Sequence, residues 1–283
     1  MLCDYYGFAR QYSAFRLIFF YIDCYLCDLS LPSHVEVDLL LLSMVVTVIA
    51  AALTVPAGFG LATMLTPVVL VWLPPHEAIA LVAIIHGAHN AWKLKLLNSR
   101  VDYQAVSRYG WALIIGAIIG AILHSYIPSD PLLLVVGCAL IILPVLSVTE
   151  KWTNFRLPES EDRIGGFGSG FFGGLTGHQG ALRAMFLQRR LPDKVAYAAT
   201  ASILALAVDV TRIPIYIMFE GTAILDEYIL LLALTASAIF GVNLGKRWLV
   251  KWKNSRIRIG ILLAIVASGL LYIVEASNNL GYW

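Results

Sequence analysis

The sequence predicts an all-α polytopic membrane protein of two inverted repeats, each a broken helical hairpin plus about three transmembrane helices. Three observations carry this expectation. Of the 283 residues, 59% are hydrophobic and 13% charged, and mean hydropathy is +0.79. That is more apolar surface than a soluble domain can hide beneath a polar exterior. Apolar stretches recur from Val37 onward, which at about 20 residues per crossing allows roughly seven to nine spans. Two glycine-rich breaks and two short motifs also recur about half a chain apart. The lipid bilayer is thus the partner that composition demands, in a multi-pass protein of the cell (plasma or inner) membrane. A net charge of +2 gives no reason to expect nucleic acid as a partner.

Residues 1–35 read as an N-terminal extension. Tyr12–Leu31 is apolar and aromatic yet carries Arg16, Asp23 and Asp28. It lacks the short core and cleavage site of a signal peptide and reads as an extra or interfacial helix. Cys24 and Cys27 have redox or metal-ligand spacing, but no second pair joins them, so neither a metal site nor a cofactor is expected. The first repeat covers residues 36–150 and the second 151–283.

Three apolar stretches, 61–73, 164–175 and 181–191, are too short to span and flank glycine-rich breaks. One break is Pro56-Ala-Gly-Phe-Gly60, and the other lies in the run from Gly165 to Gly177. Irregular backbone at membrane depth is tolerated only inside protein or beside a watery cavity, which makes each break a candidate site. Close helix packing is the competing reading of the same glycines. Lys93, Lys95, Arg100 and Arg108 place one loop in the cytoplasm, and the basic cluster from Lys246 to Arg258 places another. Glu220, Asp226 and Glu227, with no base among them, put their connection outside. Leu73-Pro-Pro-His-Glu-Ala78 then matches Leu191-Pro-Asp-Lys-Val-Ala196 in the opposite orientation, and Gly116-Ala-Ile-Ile-Gly120 matches Gly241-Val-Asn-Leu-Gly245. Two opposed hairpins are expected to meet near the midplane, where helix N-termini favour an anion.

Ionisable side chains within apolar spans need a reason. His86, His89, Asn90 and Lys93 share one helical face, and no acid lies near His86 on that face. His178, Gln179 and Arg183 follow the second break, while Asp209 and Arg212 share a face of the next span. Arg183 lies one turn past Gly180, and its fork suits a carboxylate, sulfonate or phosphate. His178 and His86 are candidates for sensing protons from either side of one cavity. Bland alternatives stand beside these: Lys93 snorkelling to the cytoplasmic interface, and Asp209 with Arg212 as a structural ion pair. An intramembrane enzyme using buried histidines is a second functional reading, and a non-transporting assembly subunit a third. No catalytic triad or nucleophile motif supports the enzyme; Ser169 in Gly168-Ser-Gly170 is preceded by no strand.

The run Gly173-Gly-Leu-Thr-Gly-His-Gln-Gly-Ala-Leu-Arg-Ala-Met-Phe-Leu187, followed by Val208-Asp-Val-Thr-Arg212, resembles the sulfite exporter TauE/SafE family. Gly58-Phe-Gly-Leu-Ala-Thr63 with His86 and Asn90-Ala-Trp-Lys93 resembles it too, and the likeness covers about residues 40–275. The resemblance implies a permease with two repeats that moves sulfur-containing anions such as sulfite or organosulfonates. It points to Gly58, Gly60, His86, Asn90, Lys93, Gly177, His178, Gln179, Gly180, Arg183, Asp209 and Arg212 as core positions. His89 joins them from the helical-face argument. A small anion is the expected substrate, with protons as coupling ion and a homodimer as assembly.

Overall fold

The computed structural model describes residues 33–152, 162–220, 226–249 and 254–281. The N-terminal extension, with Cys24 and Cys27, lies outside the described residues. Among those described, all regular structure is helical. The first half contains α1 (Ser33–Ala57), α2 (Leu61–Val69), α3 (Pro75–Leu97), α4 (Tyr103–Tyr126) and α5 (Ser129–Trp152). The second contains α6 (Asp162–Thr176), α7 (Gly180–Arg190), α8 (Lys194–Glu220), α9 (Tyr228–Leu249) and α10 (Asn254–Asn279). Four helices, α1, α4, α8 and α9, are long and apolar enough to cross a membrane. Leu41, Val45 and Ile49 on α1 and Ile115, Ile118 and Ile122 on α4 turn outward, as lipid-facing surface requires. The chain is a multi-pass membrane protein.

Local chemistry sets the helix ends. Pro75 opens α3, where its missing N–H costs nothing. Asp102 caps α4 by accepting the Ala105 N–H at 2.9 Å. Asp193 caps α8 from the turn before it, its Oδ1 accepting from Val195 at 2.7 Å and Ala196 at 3.1 Å. Those two donors hold its carboxyl below the usual carboxylate range. The cap is therefore intact at neutral pH and is lost as pH falls through the folded value.

Both short helices follow left-handed glycines. α1 ends where Gly58, at φ 81°, donates its N–H to the Thr54 carbonyl at 2.8 Å, and Gly60 at φ 109° turns the chain into α2. α6 ends where Gly177, at φ 83°, donates to Gly173 at 3.1 Å. A side chain at such φ is strained, which is why glycine stands there. Each break is the tip of a hairpin. Trp72 Nε1 donates to Ser43 Oγ at 3.2 Å, closing the first, and Arg190 pairs with Asp162 at 2.5 Å, closing the second. The arms differ, because α1 has 25 residues where α6 has 15. The tips meet: a Cβ added at Gly180 would lie 2.6 Å from the Phe59 Cβ.

The glycine run from Gly165 to Gly174 is not part of the break, contrary to the sequence expectation. It is helical, and the irregular backbone is confined to residues 177–179. A Cβ at Gly166, Gly170 or Gly174 would strike the backbone of Tyr109, Leu113 or Ala117. In return, Gly116 and Gly120 face the backbone of Phe167 and Phe171. This four-residue spacing lets α4 and α6 pack backbone to backbone. Gly241 and Gly245 give α9 the same close approach to Val48 and Ala52 of α1. At the centre α3 packs on α8, and α5 crosses α10 where Gly137 and Gly269 face one another. Gly170→Ala should lower the thermal unfolding midpoint in detergent, since overpacking costs about 1–3 kcal/mol. Gly110→Ala, whose Cβ would meet nothing closer than Leu204 at 3.7 Å, should hold or raise it. Equal shifts in both variants would count against backbone contact as the reason for these glycines.

Candidate functional site

Where α3 packs on α8, Gly87 brings the first helix within 3.4 Å (Cβ to Cβ, for an added methyl) of Asp209. His86 Nδ1 donates to Asp209 Oδ2 at 2.7 Å, with its tautomer assigned from this bond. Arg212 holds Asp209 Oδ1 through Nε at 3.1 Å and Nη2 at 2.8 Å. Asn90 Nδ2 donates to the His86 carbonyl at 2.8 Å and rests against its ring. Asp209 and Arg212 are fully buried. His86 has no acid on its own face, but α8 supplies one from 123 residues along the chain. The ion-pair reading of Asp209 and Arg212 therefore holds, with the histidine as a third member.

The same arginine also serves the broken helix. α6 stops inside the protein, and apart from the Gly177 N–H that reaches Gly173 the carbonyls of its last turn have no helical donors to follow. Arg212 Nη1 donates to the Gly173 carbonyl at 3.0 Å. The Tyr216 hydroxyl donates to Gly174, and His124 Nδ1 donates to Leu175 at 2.9 Å. Arg212 lies over the Tyr216 ring and the His124 ring lies 4.5 Å from it, so the three caps touch one another.

Beside this network lies an excess of positive charge. Arg183 is 2% exposed, and its Nη1 donates to Gln179 Oε1 at 2.9 Å. Lys93 is 3% exposed, within electrostatic reach of Arg183, and does not snorkel out to water. Among the described residues neither cation is paired with a carboxylate. His89 is buried against α1 at Ala51, its ring stacked 6.3 Å from His86. His178 is buried too, and neither of its ring nitrogens makes a well-formed hydrogen bond.

The hairpin tips meet at a small, partly open pocket lined by Phe59, Thr63, Ala139, Leu140, His178, Ala181 and Ile265. Both tips contribute to it, with α5 and α10 closing the side. Arg183 and Lys93 stand outside its wall. The family model of the sulfite exporter TauE/SafE family matches residues 43–272. The chain belongs to that family. No curated protein and no solved structure matches it.

Membership of the TauE/SafE family makes the chain a membrane transporter, and the match spans both hairpins and the α3–α8 contact. Within this TauE/SafE protein, the expected residues fall into two groups. His86, Asn90, Asp209 and Arg212 bond directly; Lys93, Gln179 and Arg183 gather beside them, with His178 at the cavity. Ser169, which superficially suggested a nucleophile, is fully buried and donates to the Gln179 carbonyl at 3.2 Å. Thr200 accepts the Asp102 N–H at 2.9 Å and so serves the α4 cap. His124 and Tyr216 were not anticipated, although a histidine inside the apolar stretch 110–127 is the signal that singled out His86. Asp209→Ala should destabilise the protein by about 3–5 kcal/mol, because Arg212 is left charged, buried and unpaired. Adding Arg212→Met should recover part of that loss in thermal unfolding, but not all, since the Gly173 carbonyl then keeps only the Gly177 N–H. An Asp209→Ala protein as stable as its parent would remove the ion pair from this account.

Proposed function

We propose that the protein is a secondary carrier for a small anion, and that this anion contains sulfur, as sulfite or an organosulfonate does. The observation that carries the reading is the pair of buried cations, Lys93 and Arg183, with no carboxylate among the described residues paired to either. With Arg212 they make three cations against the single carboxylate of Asp209. Uncompensated charge at this depth costs several kcal/mol, and a bound anion offsets it. The tips add to the attraction. α2 and α7 begin at Leu61 and Gly180, where first-turn amides have no intrahelical acceptor and the helix dipole is positive. Thr63 and Ala181, in those first turns, both line the cavity, and His178 brings uncommitted ring nitrogens to the same wall.

We further infer that residues 36–150 and 151–283 are inverted repeats whose relative rocking gives alternating access. Several pairings support this. Gly58 and Gly177, Asn90 and Asp209, and Lys93 and Arg212 recur at one constant spacing. The α4–α6 contact has its counterpart in α9–α1, and the crossings α3–α8 and α5–α10 join equivalent members. Arg183 is assigned as the main anion ligand, with Gln179 orienting its fork. Arg183→Lys keeps the charge and loses the two-pronged geometry, so sulfite flux into proteoliposomes should fall clearly. Lys93→Met should weaken sulfite binding by removing attraction alone, raising the half-saturating concentration. Parent-like flux in Arg183→Lys would refute its assignment.

A further inference from the structure

A second set of buried polar groups lies away from the central cluster. α10 runs antiparallel to α5 past the Gly137–Gly269 contact, so its C-terminal end reaches the start of α5. There Asn279 Nδ2 donates to Asp130 Oδ1 at 3.0 Å. One turn earlier, Glu275 is 4% exposed, with no hydrogen bond and no cation paired to it among the described residues. The charge that acts on it is the Asp130 carboxylate. Tyr272, one turn before that, is 0% exposed; among the described residues its hydroxyl has no hydrogen-bond partner, and the Glu275 carboxylate acts on it electrostatically.

Among the described residues, the helices packed on α10 bring no compensating charge to Glu275. α5 supplies Asp130, and α2, Leu61–Val69, carries no titratable side chain. On α1, Asp38 is exposed. His76, at the start of α3, is bonded to Ser129 Oγ at 3.1 Å and to the Ile127 carbonyl at 2.9 Å. A carboxylate in that setting suffers desolvation and repulsion together, and one proton removes both. The Tyr272 hydroxyl can donate to the anion or accept from the acid.

We propose that Glu275, with Asp130 and Tyr272 around it, is the proton-binding site of the carrier, and that its carboxylate takes up one proton to form the neutral acid and later releases it, linking anion movement to the proton gradient. The proposal rests on the carrier reading above. It is tested on the full chain in three measurements: sulfite accumulation driven by a proton gradient, sulfite exchange at equal pH on both sides, and infrared titration of the protonated-carboxyl band. Glu275→Gln should lose gradient-driven accumulation and the titrating band while retaining exchange. Asp130→Asn removes the neighbouring negative charge, so the band should titrate at lower pH; this variant also decides the matter if Glu275→Gln does not fold. Gradient-driven accumulation in Glu275→Gln, or a band that neither variant alters, overturns the proposal. If the parent moves no sulfite in either mode, the sulfite-carrier reading fails, while the infrared titration still decides whether Glu275 holds the proton.

Discussion

The last turn of α6 ends inside the protein, where water does not supply donors: the Gly174 and Leu175 carbonyls must find them elsewhere, and Gly173 has only the Gly177 N–H from its own chain segment. Arg212, Tyr216 and His124 provide one each. The rest of the architecture follows from that requirement. Two donors come from α8 and one from α4, so the broken helix stays in place only while both neighbours press against it. The glycines of α4 and α6 permit that approach by leaving no side chain at the points where one backbone meets the other. An unsatisfied carbonyl at this depth would cost several kcal/mol, so the caps and the close packing stand or fall together.

Arg212 must do two things with one guanidinium, and Asp209 allows it. The carboxylate holds Nε and Nη2 and leaves Nη1 aimed at Gly173. Its second oxygen accepts from His86, tying α3 to the same point. Asp209 thus has both oxygens engaged by Arg212 and His86, and neither is bonded to Lys93 or Arg183. The positive excess beside the hairpin tip is thus a consequence of how the broken helix is capped.

Much of this was legible along the chain, but unevenly. Gly58, Gly60 and Gly177 could be read as breaks because each stands beside a helix too short to span. The stretch before Gly177 misled, because many glycines together suggest irregular backbone; yet Gly166, Gly170 and Gly174 stand four apart, which is the spacing of one helical face. The face of His86, His89, Asn90 and Lys93 was readable by periodicity. Its acid was not, since Asp209 belongs to a helix on the other side of a hairpin and local spacing carries no information about that contact. Glu275 was passed over for a different reason. It closes an apolar stretch, where a carboxylate reads as an ordinary interfacial residue until the fold encloses it.

The Gly137–Gly269 crossing has a mechanical meaning. Each glycine faces the other's carbonyl, and Ile141 and Ile273 rest on the opposing glycine from either side. Helices usually mesh by ridges and grooves, and such a joint resists turning because side chains must climb over one another. Here the two backbones touch at a smooth point, with one isoleucine on each flank. A joint of that kind sets how closely α5 and α10 approach, and any Cβ introduced at its centre would wedge the two helices apart.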